Sequence, residues 1–443
     1  MEALSKATIE LKNSFDQLEA LLLQNQKEIY LSGLKGSFFA YIISKLALSI
    51  PRCFLVITSD NDLAEEVCSE IQFFLSQGKG LCKPVLFFPS WETLPYDTIN
   101  PHPEKVISRL ETLYHLQKSG EDPYPIVVLP LRALMQHCIP SDDLKKAVVS
   151  VQFQDEINRD HLVERLVAGG YRNVSLVEER GEFSVRGGIL DVFPPLYFHP
   201  IRLELFGDRV ESIRQFNPAT QRSVSNLESF SIIPVSEIIL DNPSKKRALE
   251  SIETLQSKGE IPSSLGKKFK EKFSQNSQFP GISFLLEFFY KQLSTLPHYL
   301  PEDSIVWCYG VPDFTGEITA FFDAVTQNLS ASRAEGKVSS LGSNLYLTPD
   351  ETREALTPFT KIWTESLDVF SPEKNNLTFS TSDNKDIYRQ IMERRTRIRP
   401  LAKLVQTFEE WLNEYYIIIL VTHSDNQKKR LQELLGNYGL TLQ

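Results

Sequence analysis

The chain has 443 residues, 47 Lys and Arg against 57 Asp and Glu, a formal charge of −10 at pH 7 and 42% hydrophobic residues. That length holds three or four domains of ordinary size. The acidic balance argues against a free-standing nucleic-acid binder, which carries a basic excess or patch, and tilts toward protein partners without excluding a local DNA contact.

No apolar run reaches the roughly 20 residues of a membrane span, and Met1–Lys6 opens without a signal-peptide core. Cys53, Cys68, Cys82, Cys138 and Cys308 are odd in number and never form a C-x-x-C pair. They imply a reducing, cytoplasmic setting with no disulfide framework and no zinc site.

In chain order, Ile9, Leu11, Phe15, Leu18, Leu21 and Leu22 recur at helical spacing through residues 6–25. Ile29–Leu31 reads as a strand that runs into Gly33–Ser37 and a helix over Phe38–Leu48. Cys53–Thr58 is a buried strand, and Asp60 is placed to cap the helix that follows. Val85–Phe88 and Ile126–Leu129 are further apolar strands. Strands alternating with helices make a mostly parallel α/β structure over residues 1–145.

Residues 155–168 form an amphipathic helix ended by Gly169-Gly170. The β-rich stretch that follows closes near Pro234, giving a second domain over 146–237. Leu240–Pro301 is mainly helical. Its lysine cluster, Lys267, Lys268, Lys270 and Lys272, reads more simply as a solvated helix face than as a DNA patch. Ile305–Cys308 is a strand expected to rejoin the first sheet, so residues 238–370 form the second part of that domain. Ser371–Lys385 is the linker candidate. Beyond it, Ile387–Arg399 and Leu401–Trp411 read as helices, Tyr416–Val421 as a buried strand and Asn426–Leu435 as a helix. That is a small α/β module over 371–443.

Arg180–Phe216 carries the strongest pattern. Phe183 and Val185 alternate with Ser184 and Arg186, the period of a half-buried strand. Gly187-Gly188 lets the backbone bend or bulge, and Pro194-Pro195 ends the run. In the next strand Ile201, Leu203 and Leu205 point one way and Arg202, Glu204 and Phe206 the other. Gly207-Asp208 suits a two-residue hairpin turn. Arg209–Phe216 breaks strict alternation, which predicts a bulge. Arg186, Arg202, Glu204 and Phe206 therefore share an outer face, and Arg and aromatic residues are enriched at binding hot spots. The plainer alternative makes the charges ordinary surface residues and packs Phe206 under a loop.

The run Arg180–Pro194, with Glu204–Asp208 and Thr220–Ser223, resembles the bacterial transcription-repair coupling factors and, more distantly, the excision-repair subunit UvrB. Trp91–Asp97, Pro101-His102 and Ser108–Leu110 are similar to the coupling factors rather than to UvrB. The resemblance covers most of residues 25–330 and weakens beyond. It implies a degenerate phosphate-loop, helicase-like α/β fold with an inserted small β-rich domain that docks UvrA. The family's contact positions fall on Arg186, Arg202, Glu204 and Phe206, with Arg172 as a further candidate; Ser184 stands where UvrB has Arg. It also implies RNA polymerase and DNA as partners through a C-terminal module and motor, and an intact parent that masks its own UvrA face. None of the motor's motifs occurs here. The stop at Leu440–Gln443 reads as a shortened form or a fragment of a longer protein.

Two tests bear on nucleotide chemistry. A phosphate loop needs a Gly before a Lys and a Ser or Thr after it. In Gly33–Ala40, Gly33 and Gly36 fit, but Phe38 replaces the Gly, Phe39 the Lys and Ala40 the Thr, and Lys35 falls too early to stand in. The strand that should end in Asp-Glu ends in Tyr309-Gly310 instead, with Glu302 and Asp303 at its wrong end. Both halves of a nucleotide site are missing from the sequence, so the fold reads as a retired ATPase scaffold without cofactor.

A third absence is UvrB's long damage-probing hairpin, for which Trp91–Pro103 is too short. Trp91 and Tyr96 read as packing residues before base-stacking ones. The histidines stand apart from metal-ligand spacing, and Arg394–Arg399 reads as a charged helix face before a phosphate contact. The functional expectation is a non-catalytic adaptor that recruits UvrA by imitating UvrB. The alternative is a UvrB-like, ATP-dependent helicase subunit acting on damaged DNA.

Overall fold

The computed structural model describes residues 2–77, 83–93, 100–118, 124–261, 263–274, 279, 281–334, 344–364, 376–381, 384–385, 387–389, 401–414, 416, 418–422 and 424–441. The chain forms two compact units, residues 1–33 with 39–379, and residues 34–38 with 380–443.

After the helix Glu2–Leu23, the first unit has β1 (Glu28–Ser32), β2 (Phe54–Thr58), β3 (Val85–Phe87) and β4 (Ile126–Pro130). Short β5 (His137–Cys138) and β6 (Val149–Gln152) follow. Then come β7 (Arg172–Asn173), β8 (Glu182–Arg186), β9 (Ile189–Val192), β10 (Ile201–Phe206), β11 (Arg209–Phe216), β12 (Ser223–Asn226) and β13 (Ser229–Ile232). The last four are β14 (Ser294–Thr295), β15 (Ile305–Cys308), β16 (Thr360–Thr364) and β17 (Asn376–Thr378).

A seven-stranded sheet runs β17-β1-β16-β15-β2-β4-β3, with every pairing parallel. β2, β4 and β15 are buried at every residue, as strands covered on both faces must be. Ile305–Cys308 rejoins the first sheet as expected, between β2 and β16. Asp60 caps its helix as expected, its Oδ1 accepting from the Leu63 N–H at 2.9 Å. β17 corrects the sequence reading, because it lies inside the stretch taken as a linker. Only Leu377 of its three residues is buried, so the strand is defined by pairing with β1 rather than by a pattern of its own.

The smaller sheet runs β12-β11-β10-β9-β8-β7. Phe183, Leu190, Val192, Ile201, Leu203, Val210 and Ile213 pack its inner face with Leu162 and Leu166 of the helix Arg159–Ala168. That helix starts four residues later than its periodicity suggests, because the Asn158 side chain caps it through the His161 N–H. Gly187-Gly188 is also corrected: it is neither bend nor bulge but a two-residue turn that brings Arg186 opposite Ile189, with Gly187 at φ +60°. The β11 bulge is present, since Glu204 faces Ser212 while Leu205 faces Val210.

Arg109, on the helix Pro103–Gln117, joins the two sheets' surroundings. It is sealed from solvent, its Nε is 2.6 Å from Glu237 Oε1, and its guanidinium lies 4.2 Å from the centre of the Phe88 ring.

In the second unit the helices Ala402–Asn413 and Asp425–Gly436 share a small core of Val405, Phe408 and Leu435. The expected strand at Tyr416–Val421 is not formed among the described residues. Ile418 and Leu420 pack inward while Ile419 and Val421 face solvent; the alternation is that of a strand, but no neighbour supplies a ladder. Arg394–Arg399 and Tyr96 lie outside the described residues. No described helix is long and apolar enough to cross a membrane.

Candidate functional site

Register builds the candidate face. Ser184, Asp191, Arg202 and Arg214 stand opposite one another across β8, β9, β10 and β11. The neighbouring row is Arg186, Ile189, Glu204 and Ser212. Residues paired in register project from the same side of a sheet, so Arg186, Arg202 and Glu204 share the side opposite the apolar core. Phe206 follows along β10, opposite Arg209. It sits at a hairpin tip where Gly207 adopts φ +63°, and it is 81% exposed. No loop covers it.

Asp191 stands at the centre of this face with its side chain 2% exposed. Arg202 grips it with both prongs, Nε donating to Oδ1 at 2.7 Å and Nη2 to Oδ2 at 2.9 Å. Arg202 Nη2 also lies 3.4 Å from Gln221 Oε1, and its guanidinium sits 4.6 Å from the Phe216 ring centre. Hydrogen bonding to Asp191 pushes the Arg202 pKa up, so its charge is secure. Arg186 is held more loosely, with Nη2 3.7 Å from Asp191 Oδ2 and Nε 3.5 Å from Ser184 Oγ. Glu204 accepts from Ser212 Oγ at 2.8 Å and pairs with Arg214.

Arg172 reaches the same side from β7, opposite Glu182, at the far end from Phe206. Its Nη2 is taken by Glu179 and Glu182, each at 3.1 Å. Sequence reasoning missed Asp191 and Arg214. A lone acid in the apolar run Ile189–Phe193 was the available signal for the first; the bulge hid the parity of the second.

The residues read from the sequence as a degenerate nucleotide site are also placed. Phe39 and Ala40 are fully buried. The Phe39 ring stacks on Tyr309, centroids 3.8 Å apart and 10° from parallel, and meets Trp307 edge-on at 5.0 Å. The Tyr309 N–H donates to the Ile57 carbonyl at 2.8 Å, continuing the β2–β15 ladder. Gly33, at φ +75°, passes so close to the Phe379 carbonyl that a Cβ would collide with it. Its glycine thus serves the sheet edge beside β17. Gly36 adopts φ +57° and Gly310 φ +70°, and a Cβ on Gly310 would come 2.7 Å from Leu63 Cδ2. The described cysteines are buried, and burial pushes the Cys53 and Cys68 thiols up to about 12, away from thiolate chemistry.

Residues 149–238 match the family model of the UvrB interaction domain. The transcription-repair-coupling factor of Myxococcus xanthus is 28% identical over 422 residues, 93% of this chain and 35% of that protein. The Haemophilus influenzae protein of the same name is 28% identical over 430 residues, 96% of this chain and 35% of that protein. The Escherichia coli protein is 32% identical over 220 residues, 50% of this chain and 18% of that protein. The chain is thus similar over nearly all of its length to transcription-repair coupling factors, while spanning about a third of the Myxococcus xanthus and Haemophilus influenzae proteins.

Proposed function

We propose that this chain is the UvrA-recruiting region of a transcription-repair coupling factor, an adaptor without catalysis of its own. The carrying observation is the solvent-exposed Phe206 on the same side of the sheet as Arg186 and Arg202, both guanidiniums drawn to Asp191, within the segment that matches the UvrB interaction domain. A partner that sheathes the phenyl ring and pairs a carboxylate with a guanidinium gains two contacts of the hot-spot kind, each costing roughly 2 kcal/mol or more on truncation. Glu204 and Arg172 belong to the same proposed face.

The non-catalytic reading is supported by the aromatic stack at Phe39 and Tyr309, which puts apolar rings where a triphosphate and its metal need charge. We keep residues 1–145 and 238–370, completed by β17 at Asn376–Thr378, as the parts of the scaffold, 146–237 as the docking domain and 380–443 as a separate module. In a protein of the relatives' full length, we propose that other segments engage RNA polymerase and DNA, that the docking face is masked until they do, and that the setting is cytoplasmic. The test is co-elution of the purified chain with UvrA, with and without ATP. A stable complex is expected, and separate elution under both conditions overturns the reading.

A further inference from the structure

We propose that Asp191 is the positioning residue of the docking face, fixing Arg202 as a rigid strut and leaving Arg186 as the guanidinium that meets a partner's carboxylate. The proposal rests on the docking reading above.

The two arginines differ in how fully they are used. Arg202 spends Nε and Nη2 on both oxygens of Asp191, adds Gln221 through Nη2 and lies against the Phe216 ring. Its side chain is 20% exposed. Arg186 is 52% exposed, and its contacts to Asp191 and Ser184, at 3.7 and 3.5 Å, are longer than good charge-assisted hydrogen bonds. It therefore has donors to offer. A long, mobile side chain loses rotamer freedom when it binds, and the weak pull of Asp191 restricts Arg186 beforehand without saturating it. Glu204 cannot take over this role, because Ser212 and Arg214 already occupy it.

The arrangement also defines the partner's chemistry. Arg186 and Phe206 are two strands and one side-chain repeat apart. At about 4.8 Å per strand and 3.3 Å per residue, that is on the order of 12 Å. That is the backbone separation; the matching surface carries a carboxylate for Arg186 and an apolar pocket for Phe206.

The experiment is a calorimetric titration of UvrA with the whole chain, as wild type and as Asp191→Asn, Arg202→Ala, the two combined, and Arg186→Ala/Phe206→Ala. Each variant is first checked for folding by near-ultraviolet circular dichroism. Asp191→Asn is expected to weaken binding about tenfold in the wild-type background. In the Arg202→Ala background it is expected to cost less than about threefold, because its main strut is already gone. Unchanged binding of Asp191→Asn, or equal losses in the two backgrounds, overturns the positioning role even if Arg186→Ala/Phe206→Ala abolishes binding. If that double variant binds like wild type, the docking reading fails and takes this proposal with it. Should Asp191→Asn not fold, Arg202→Lys keeps the charge but loses the two-pronged grip. It must show the same tenfold loss, and wild-type affinity for it rejects the proposal.

Discussion

The rings of Phe39 and Tyr309 lie face to face, 3.8 Å between centroids. The sequence reading places the two residues where a nucleotide-binding fold would carry its phosphate-loop lysine and one of its metal-holding acids. Their stacking joins the two positions in one packed contact. Phe39→Ala is expected to cost about 3–5 kcal/mol in urea unfolding, while titration with a fluorescent ATP analogue and Mg²⁺ shows no saturable binding to either form. A stability change under about 1 kcal/mol would mean the stack is incidental.

Arg109 and Glu237 form the most deeply buried ion pair described, 2.6 Å apart with side chains 0% and 4% exposed. Removing one partner strands the other charge away from water. Arg109→Ala and Glu237→Ala should each lower unfolding stability by roughly 3–5 kcal/mol, and the double variant should lose less than their sum. Additive losses in denaturant titrations would show that the pair does not act as a unit.

Glu111 faces Arg180 of the docking domain at 3.8 Å. Burial pushes its carboxyl from 4.5 up to about 7, with Arg180 pulling the other way. Between those values the folded chain holds a proton that the unfolded chain has released. The group's favourable contribution is therefore whole below the unfolded value, declines as pH rises toward about 7 and is flat above it. Glu111→Gln should flatten that decline in urea midpoints taken from about pH 5 to pH 8. An identical slope in the variant would remove Glu111 as its source.

Gly188 closes the turn between β8 and β9, and a Cβ there would come 2.6 Å from the Leu205 carbonyl oxygen. That oxygen belongs to the strand carrying Arg202 and Phe206, so Gly188→Ala must push β10 aside or open the turn. A loss of about 1–3 kcal/mol in thermal unfolding is expected, with weaker UvrA binding. Neutral stability would show that the turn can absorb the methyl group.

The outer face of the small sheet was largely legible because strand parity is a local rule. Ile201, Leu203 and Leu205 against Arg202, Glu204 and Phe206 give β10 two faces without any knowledge of its neighbours. Asp191 was less legible, since its role depends on being opposite Arg202, and register is not written in either strand alone. Gly187-Gly188 looked the same whether it bends a strand or turns between two. β17 was hidden because Asn376–Thr378 earns its place by pairing with β1, a contact between distant parts of the chain. The Phe39–Tyr309 stack is non-local in the same way: the sequence reading gives two missing charges, not their meeting.

The central claim is that the exposed ring of Phe206 and the guanidinium of Arg186 are the groups that UvrA grips. The most direct test compares UvrA affinity for wild type and Arg186→Ala/Phe206→Ala, both side chains being exposed. The double variant should unfold within about 0.5 kcal/mol of wild type and lose at least about a hundredfold in affinity. A folded double variant with wild-type affinity would contradict the account.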